Sequence, residues 1–148
     1  EFATASIEDI YGEVITSAYT RKVTEFSSLL LLNNGDLTFR VNKLPELAQT
    51  IPILSSDIYD INQDGYEDII IGGNIYNTEV ETPRLDNQFA LVLLSNKKDN
   101  YIAIGPEKTG LYTNGNTKSL KIVKGEKPIL IIANNNGDSE VFQINVQK

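Results

Sequence analysis

The sequence predicts a mainly β chain made of antiparallel four-stranded blades, a partial β-propeller preceded by one short helix. Three observations predict it: short strand segments punctuated by turn residues, apolar runs that do not alternate with polar residues, and an internal repeat of about sixty residues.

Ser6 to Thr20 has helical spacing, with Ile7, Ile10, Tyr11, Val14, Ile15 and Ala18 on one face that should pack on the rest of the chain. Ser6 can cap it, and Glu8 and Asp9 suit the positive end of the helix dipole. Gly12 weakens this stretch and can divide it into two short pieces. No other helix is expected.

Ser28–Asn33 and Thr38–Asn42 read as a hairpin around the turn Asn33-Asn34-Gly35-Asp36. Further strands are expected at 53–59, 68–72, 89–95, 101–104, 118–123, 129–133 and 140–146, with Ser95 to Asn100 forming one of the turns. The runs Leu29–Leu32, Ile69–Ile71, Leu91–Leu94 and Ile129–Ile132 are continuously apolar, so each of these strands should be buried on both faces. Stacked blades meet that condition. A parallel α/β sheet would also, but it needs helical crossovers that this sequence lacks.

The repeat supports blades. Asp68–Asn74 recurs as Pro128–Asn134, and the hairpin at Leu29–Phe39 recurs at Leu91–Tyr101. Counted this way, the single unit 1–148 holds a helical lead-in at 6–20, a half blade at 27–43, a complete blade at 52–104 and a three-stranded blade at 117–146. That is too little chain to close a ring. Apolar faces of the end blades would then be covered by the helix, by self-association or by the remainder of a longer parent chain.

Composition narrows function. Twenty acidic residues against thirteen basic ones give a net charge of −7, which disfavours nucleic acid and suits a cation-binding protein. The absence of Cys and His removes thiolate chemistry, the commonest general base and the commonest zinc ligand. No apolar run is long enough to cross a membrane, and the start of the chain lacks the pattern of a signal peptide. The chain begins Glu1-Phe2 and contains no Met, so it is expected to be a processed product or a piece of something longer.

Asp60-Ile61-Asn62-Gln63-Asp64-Gly65-Tyr66-Glu67-Asp68 is the most informative segment. Asp60, Asn62, Asp64 and Asp68 stand at positions one, three, five and nine of a calcium-loop pattern, Tyr66 can add its backbone carbonyl, and Gly65 allows the turn. Ca²⁺ prefers six to eight such oxygens. Position twelve is Ile71, not the bidentate Glu of an EF-hand, and the loop feeds a strand. A metal-free Asp/Asn/Gly turn is the alternative, because the same side chains bond their own backbone.

With these residues in view, the chain resembles the FG-GAP/VCBS repeat family, integrin-α-like propellers whose calcium loops read D-x-[DN]-x-D-G-x-x-D. The likeness rests on Asp57 through Asn74, on the hairpin Leu32–Phe39 and on Ile132–Asn136, and it points to the C-terminal portion of large bacterial members related to the ASPIC/UnbV group. Leu37 departs from the family's glycine, the turn at 95–100 lacks glycines, and residues 121–127 replace a second calcium loop, so no metal is expected there. The resemblance implies a secreted, surface or periplasmic interaction scaffold with structural calcium, and it names no protein or carbohydrate ligand. Weak calcium sites also belong where calcium is millimolar.

The 74–87 connection is the second candidate. Glu79 and Glu81 could form a carboxylate pair for glycoside hydrolysis, Tyr76 and Arg84 could meet a sugar or protein, and Arg84 with Asp86 could be a local ion pair. The ion pair is the simplest expectation, and no enzyme activity is expected.

Overall fold

A computed structural model describes residues 2–97 and 99–145. After a short 3₁₀ turn at Phe2–Thr4 come α1 (Ile7–Tyr11) and α2 (Val14–Ser17), then β1 (Leu29–Asn33) and β2 (Phe39–Lys43). A 3₁₀ segment at Glu46–Thr50 leads to β3 (Ser55–Tyr59), β4 (Asp68–Gly72), β5 (Leu91–Ser95) and β6 (Tyr101–Ile104). The chain continues through α3 (Pro106–Thr109), β7 (Thr117–Val123), β8 (Ile129–Asn134) and β9 (Glu140–Gln143).

Every strand pairing is antiparallel, and the strands form sheets ordered β1-β2, β3-β4-β5-β6 and β7-β8-β9. The fold is therefore mainly β, with three sheets of two, four and three strands and no closed ring among the described residues. Lys98 in the 95–100 turn and Val146 at the end of the last expected strand lie outside the described residues.

The middle sheet separates two apolar cores. All five residues of β4 are buried, because alternate side chains of this strand enter opposite cores. Ile70 and Val92 pack with Leu120, Ile122, Leu130 and Ile132 of the third sheet. On the other face, Ile69, Ile71, Leu91 and Leu93 pack with Ala48 and Ile51, and Leu30 of β1 joins them. Fully burying an aliphatic side chain of this size contributes about 1.5 to 3 kcal/mol, so these two layers dominate the stability.

Two-faced burial holds for Ile69–Ile71 and for Leu91–Val92–Leu93, but not for the other two apolar runs. In β1 the face carrying Leu29 and Leu31 continues into Val41 and Phe39 of β2 and is exposed. In β8, Leu130 and Ile132 are buried while Ile129 and Ile131 are only partly covered. Each of these sheets is covered on one face only, so consecutive apolar residues divide between core and solvent side.

The expected helix at 6–20 divides at Gly12 into two short pieces, and the packing expected of its apolar face is corrected. Ser6 does cap α1, accepting from the Asp9 amide at 3.1 Å while its own amide donates to Asp9 at 2.9 Å. Gly12, at φ 59° and ψ −146°, ends that turn, and α2 begins afresh at Val14. Neither piece buries a residue, and Ile7, Tyr11 and Val14 stand exposed, because two single turns offer no continuous apolar stripe to pack. Nor is this the only helix: α3 follows β6, capped at Gly110 in the left-handed region.

Side chains join the sheets. β3 and β7 are edge strands of their own sheets, and they lie side by side. Ser55 accepts the Leu120 amide at 3.0 Å, and Asp57 accepts the Ile122 amide at 2.6 Å and the Lys121 ammonium at 2.7 Å. Burial alone would raise the Asp57 pKa, but the amide of Ile122, the Lys121 ammonium and the amide of Ile58 outweigh it and hold the carboxyl below its ordinary value. At the other junction, Arg40 of β2 is paired with Asp99 in the β5–β6 turn, and the Asn42 side chain donates to the Asp99 carbonyl.

Candidate metal centre and the neighbouring Asn-rich cleft

The loop between β3 and β4 is shaped by its own acidic side chains. Asp60 accepts from the amides of Asp64 at 3.0 Å and Gly65 at 2.9 Å. Asn62 accepts from the same Asp64 amide at 3.1 Å, and Asp64 accepts from Tyr66 at 3.0 Å. Gln63 at φ 56° and Gly65 at φ 89° give the backbone the reversals that this wrapping requires. Oxygens of Asp60 and Asn62 thereby meet at one amide on the inside of the turn.

Asp68 is placed differently. It is fully buried, and its two oxygens accept the Ile61 amide at 2.9 Å and the Ser95 amide at 2.8 Å. It therefore pins the loop to the end of β5. A carboxylate oxygen has two lone pairs, so these bonds leave acceptor capacity. Among the described residues no group of three or more Asp, Glu, His or Cys side chains is arranged to hold a metal. A calcium site here would therefore need a mixed set, with neutral oxygens such as the Asn62 amide oxygen added to the carboxylates.

The loop is strongly acidic. Burial, and then the charges of Asp68, Asp99 and Glu67, push the Tyr101 phenol up. The Lys97 ammonium lies 3.8 Å from Asp64 and 5.1 Å from the centre of the Tyr66 ring.

The 74–87 connection folds back on itself through paired bonds between Ile75 and Leu85, at 2.9 and 2.8 Å. This brings Tyr76, Arg84 and Asp86 together. Arg84 pairs with Asp86 at 2.9 Å and lies 4.6 Å from the centre of the Tyr76 ring. Burial, followed by the Asp86 charge, pushes the Tyr76 phenol up. Glu79 and Glu81 remain on the exposed outside of the loop.

Asn74, which is buried, fastens this loop to the third sheet. Its side chain accepts the Asn87 amide at 3.0 Å and donates to the Gly115 carbonyl at 2.7 Å. Its backbone carbonyl receives the Lys118 ammonium at 2.7 Å. Between Tyr76 and the turns at 115–116 and 135–137 lies a cleft of about 550 Å³. Sequence reasoning missed those turns as site elements. Their signal was the density of Asn and Gly at 114–116 and 134–137, together with the repeat that aligns Asn74 with Asn134.

Comparison with protein-family models, curated proteins and solved structures finds no match for this chain.

Proposed function

We propose that residues 60–68 form a calcium clip with a structural role, in a propeller-type blade that serves as a binding scaffold outside the cytoplasm. The observation that carries this reading is the convergence of Asp60 and Asn62 on the Asp64 amide, with Asp64 turned back onto Tyr66. Three ligand-type side chains thus belong to one turn, bonded at present to its own amides as a metal-free Asp/Asn/Gly turn would also have them, so calcium has to compete with those bonds. The four-stranded sheet between two apolar cores and the likeness of 57–74 to FG-GAP/VCBS loops support the blade part of the reading.

Asp60, Asn62 and Asp64 would hold the ion, with the Tyr66 carbonyl completing that side and Asp68 supporting it from the strand. A bound cation would neutralise charge that Lys97 now offsets only in part. Because it would bind the folded loop alone, it would stabilise the fold by mass action. Any protein or carbohydrate ligand would be held by the scaffold.

Thermal unfolding in calcium and in chelator tests it. Calcium at ten to a hundred times Kd should add about 1.4 to 2.7 kcal/mol, or roughly 4 to 8 °C in Tm. Asp64→Asn keeps an acceptor for the Tyr66 amide while removing a charge, so it should lose most of the shift without lowering the calcium-free Tm. Equal melting curves with calcium and with chelator refute the metal.

A further inference from the structure

We infer that the cleft beside the 74–87 loop binds an uncharged sugar, a site distinct from the metal loop and independent of it. Its lining comes from Tyr76 and Asn77 on one side and from Gly115, Asn116, Asn135 and Asn136 on the other. About 550 Å³ lies within the range of small-ligand sites and holds a sugar unit with its first waters.

The chemistry of the walls selects the ligand class. No lining residue carries a formal charge. The nearby cations are engaged: Arg84 by Asp86 and the Tyr76 ring, and Lys118 by the Asn74 carbonyl. An anion would find neither of these cations unpaired. Carboxamides each present a donor and an acceptor, which is the pattern that paired hydroxyls need, and Tyr76, with Arg84 over one face of its ring, has only the other face to offer the C–H face of a sugar ring.

A second observation points to a missing partner. Asn116 is 6% exposed and its side-chain oxygen is buried without a hydrogen bond. Unpaired buried donors and acceptors cost about 1 to 3 kcal/mol each, and a hydroxyl can satisfy either kind.

The cleft is also held in shape. Gly115 sits at φ 144°, and a Cβ there would lie 2.8 Å from the Asn134 side chain. Asn134 in turn donates to the Asp138 carbonyl at 2.9 Å and to Glu140 at 3.1 Å, and accepts from Thr117 at 3.0 Å. The Asn135 amide bonds the Asn116 carbonyl at 2.9 Å. These bonds fix both turns against each other before any ligand arrives.

The test is amide NMR of the whole chain titrated with the methyl glycosides of glucose, galactose and N-acetylglucosamine at millimolar concentration, once with calcium and once with chelator. At least one glycoside should give saturable shifts at Gly115, Asn116, Asn135 and Asn136 in both conditions. Asn116→Ala removes a buried side chain and can disturb the fold, so two outer variants carry the decision. Tyr76→Leu should weaken binding about tenfold. Asn136→Gly, which keeps the positive φ of 56°, should weaken it by about threefold or more. Absence of saturable shifts with all three glycosides overturns the inference, as do shifts unchanged in both variants. Because one titration runs in chelator, a failed calcium site leaves this result readable.

Discussion

Asp57 makes the charged contact of the join between the middle and third sheets, and its removal has a size that can be worked out. Asp57→Ala leaves the Ile122 amide, on a residue only 4% exposed, without its acceptor. An unpaired buried donor costs about 1 to 3 kcal/mol. Lys121, whose side chain is 71% exposed, adds less than about 1 kcal/mol from its ion pair. The expected loss is therefore about 1 to 4 kcal/mol, or roughly 3 to 13 °C in Tm for a chain of this length. Asp57→Asn retains an oxygen for the amide and should lose under about 1 kcal/mol.

The sign of the pH dependence follows from the lowered pKa. The folded value lies below the unfolded one, so this stabilisation is present above the unfolded pKa and is lost as pH falls through the folded pKa. Denaturant unfolding of the wild type and both variants should show gaps that are constant near neutrality and narrow below about pH 4. An alanine variant within about 0.5 kcal/mol of wild type would refute the reasoning. So would a gap that stays constant into acid.

Two further perturbations test the fold. At Gly73 a Cβ would lie 2.1 Å from the Pro52 carbonyl oxygen and 2.8 Å from the Leu54 nitrogen, both backbone atoms that cannot swing aside. Gly73→Ala should cost about 3 kcal/mol or more in denaturant unfolding, whereas Gly125→Ala, with nothing within 4 Å, should stay within about 0.5 kcal/mol. Removing residues through Ser17 should change stability by less than about 0.5 kcal/mol, because neither α1 nor α2 buries a residue. Loss of cooperative melting in that truncated chain would show that the segment packs after all.

The sheets were legible because their signals are local and repeated. The run Asp68–Gly72 between turn residues is β4 to the residue, and the hairpin turn at 33–36 joins β1 and β2 as its Asn and Gly content requires. Repetition then gave the grouping of strands into two, four and three. Coverage was not legible. Leu29–Leu32 and Leu91–Leu94 look alike in sequence, and only the sheets stacked around them make one half exposed and the other buried.

The 60–68 loop was marked as a candidate by spacing, because Asp60, Asn62 and Asp64 sit on alternate positions around Gly65. Asp68 is buried and accepts two backbone amides, one of them from Ser95 in a different hairpin, which no local pattern encodes. The cleft escaped for the same reason. Its walls come from residues 76–77, 115–116 and 135–137, and long-range bonds by Asn74 bring them together. In the 74–87 loop, the charged residues mark solvent and a local ion pair, with Glu79 and Glu81 facing outward.

The way Ser55 and Asp57 meet β7 bears on solubility. A free strand edge offers a row of amides and carbonyls on which another chain can grow. Here an alcohol and a carboxylate occupy that row at Leu120 and Ile122, so the third sheet ends at a border that cannot template another strand. The same two side chains that fasten one sheet to the next thereby keep them from fusing into one continuous sheet.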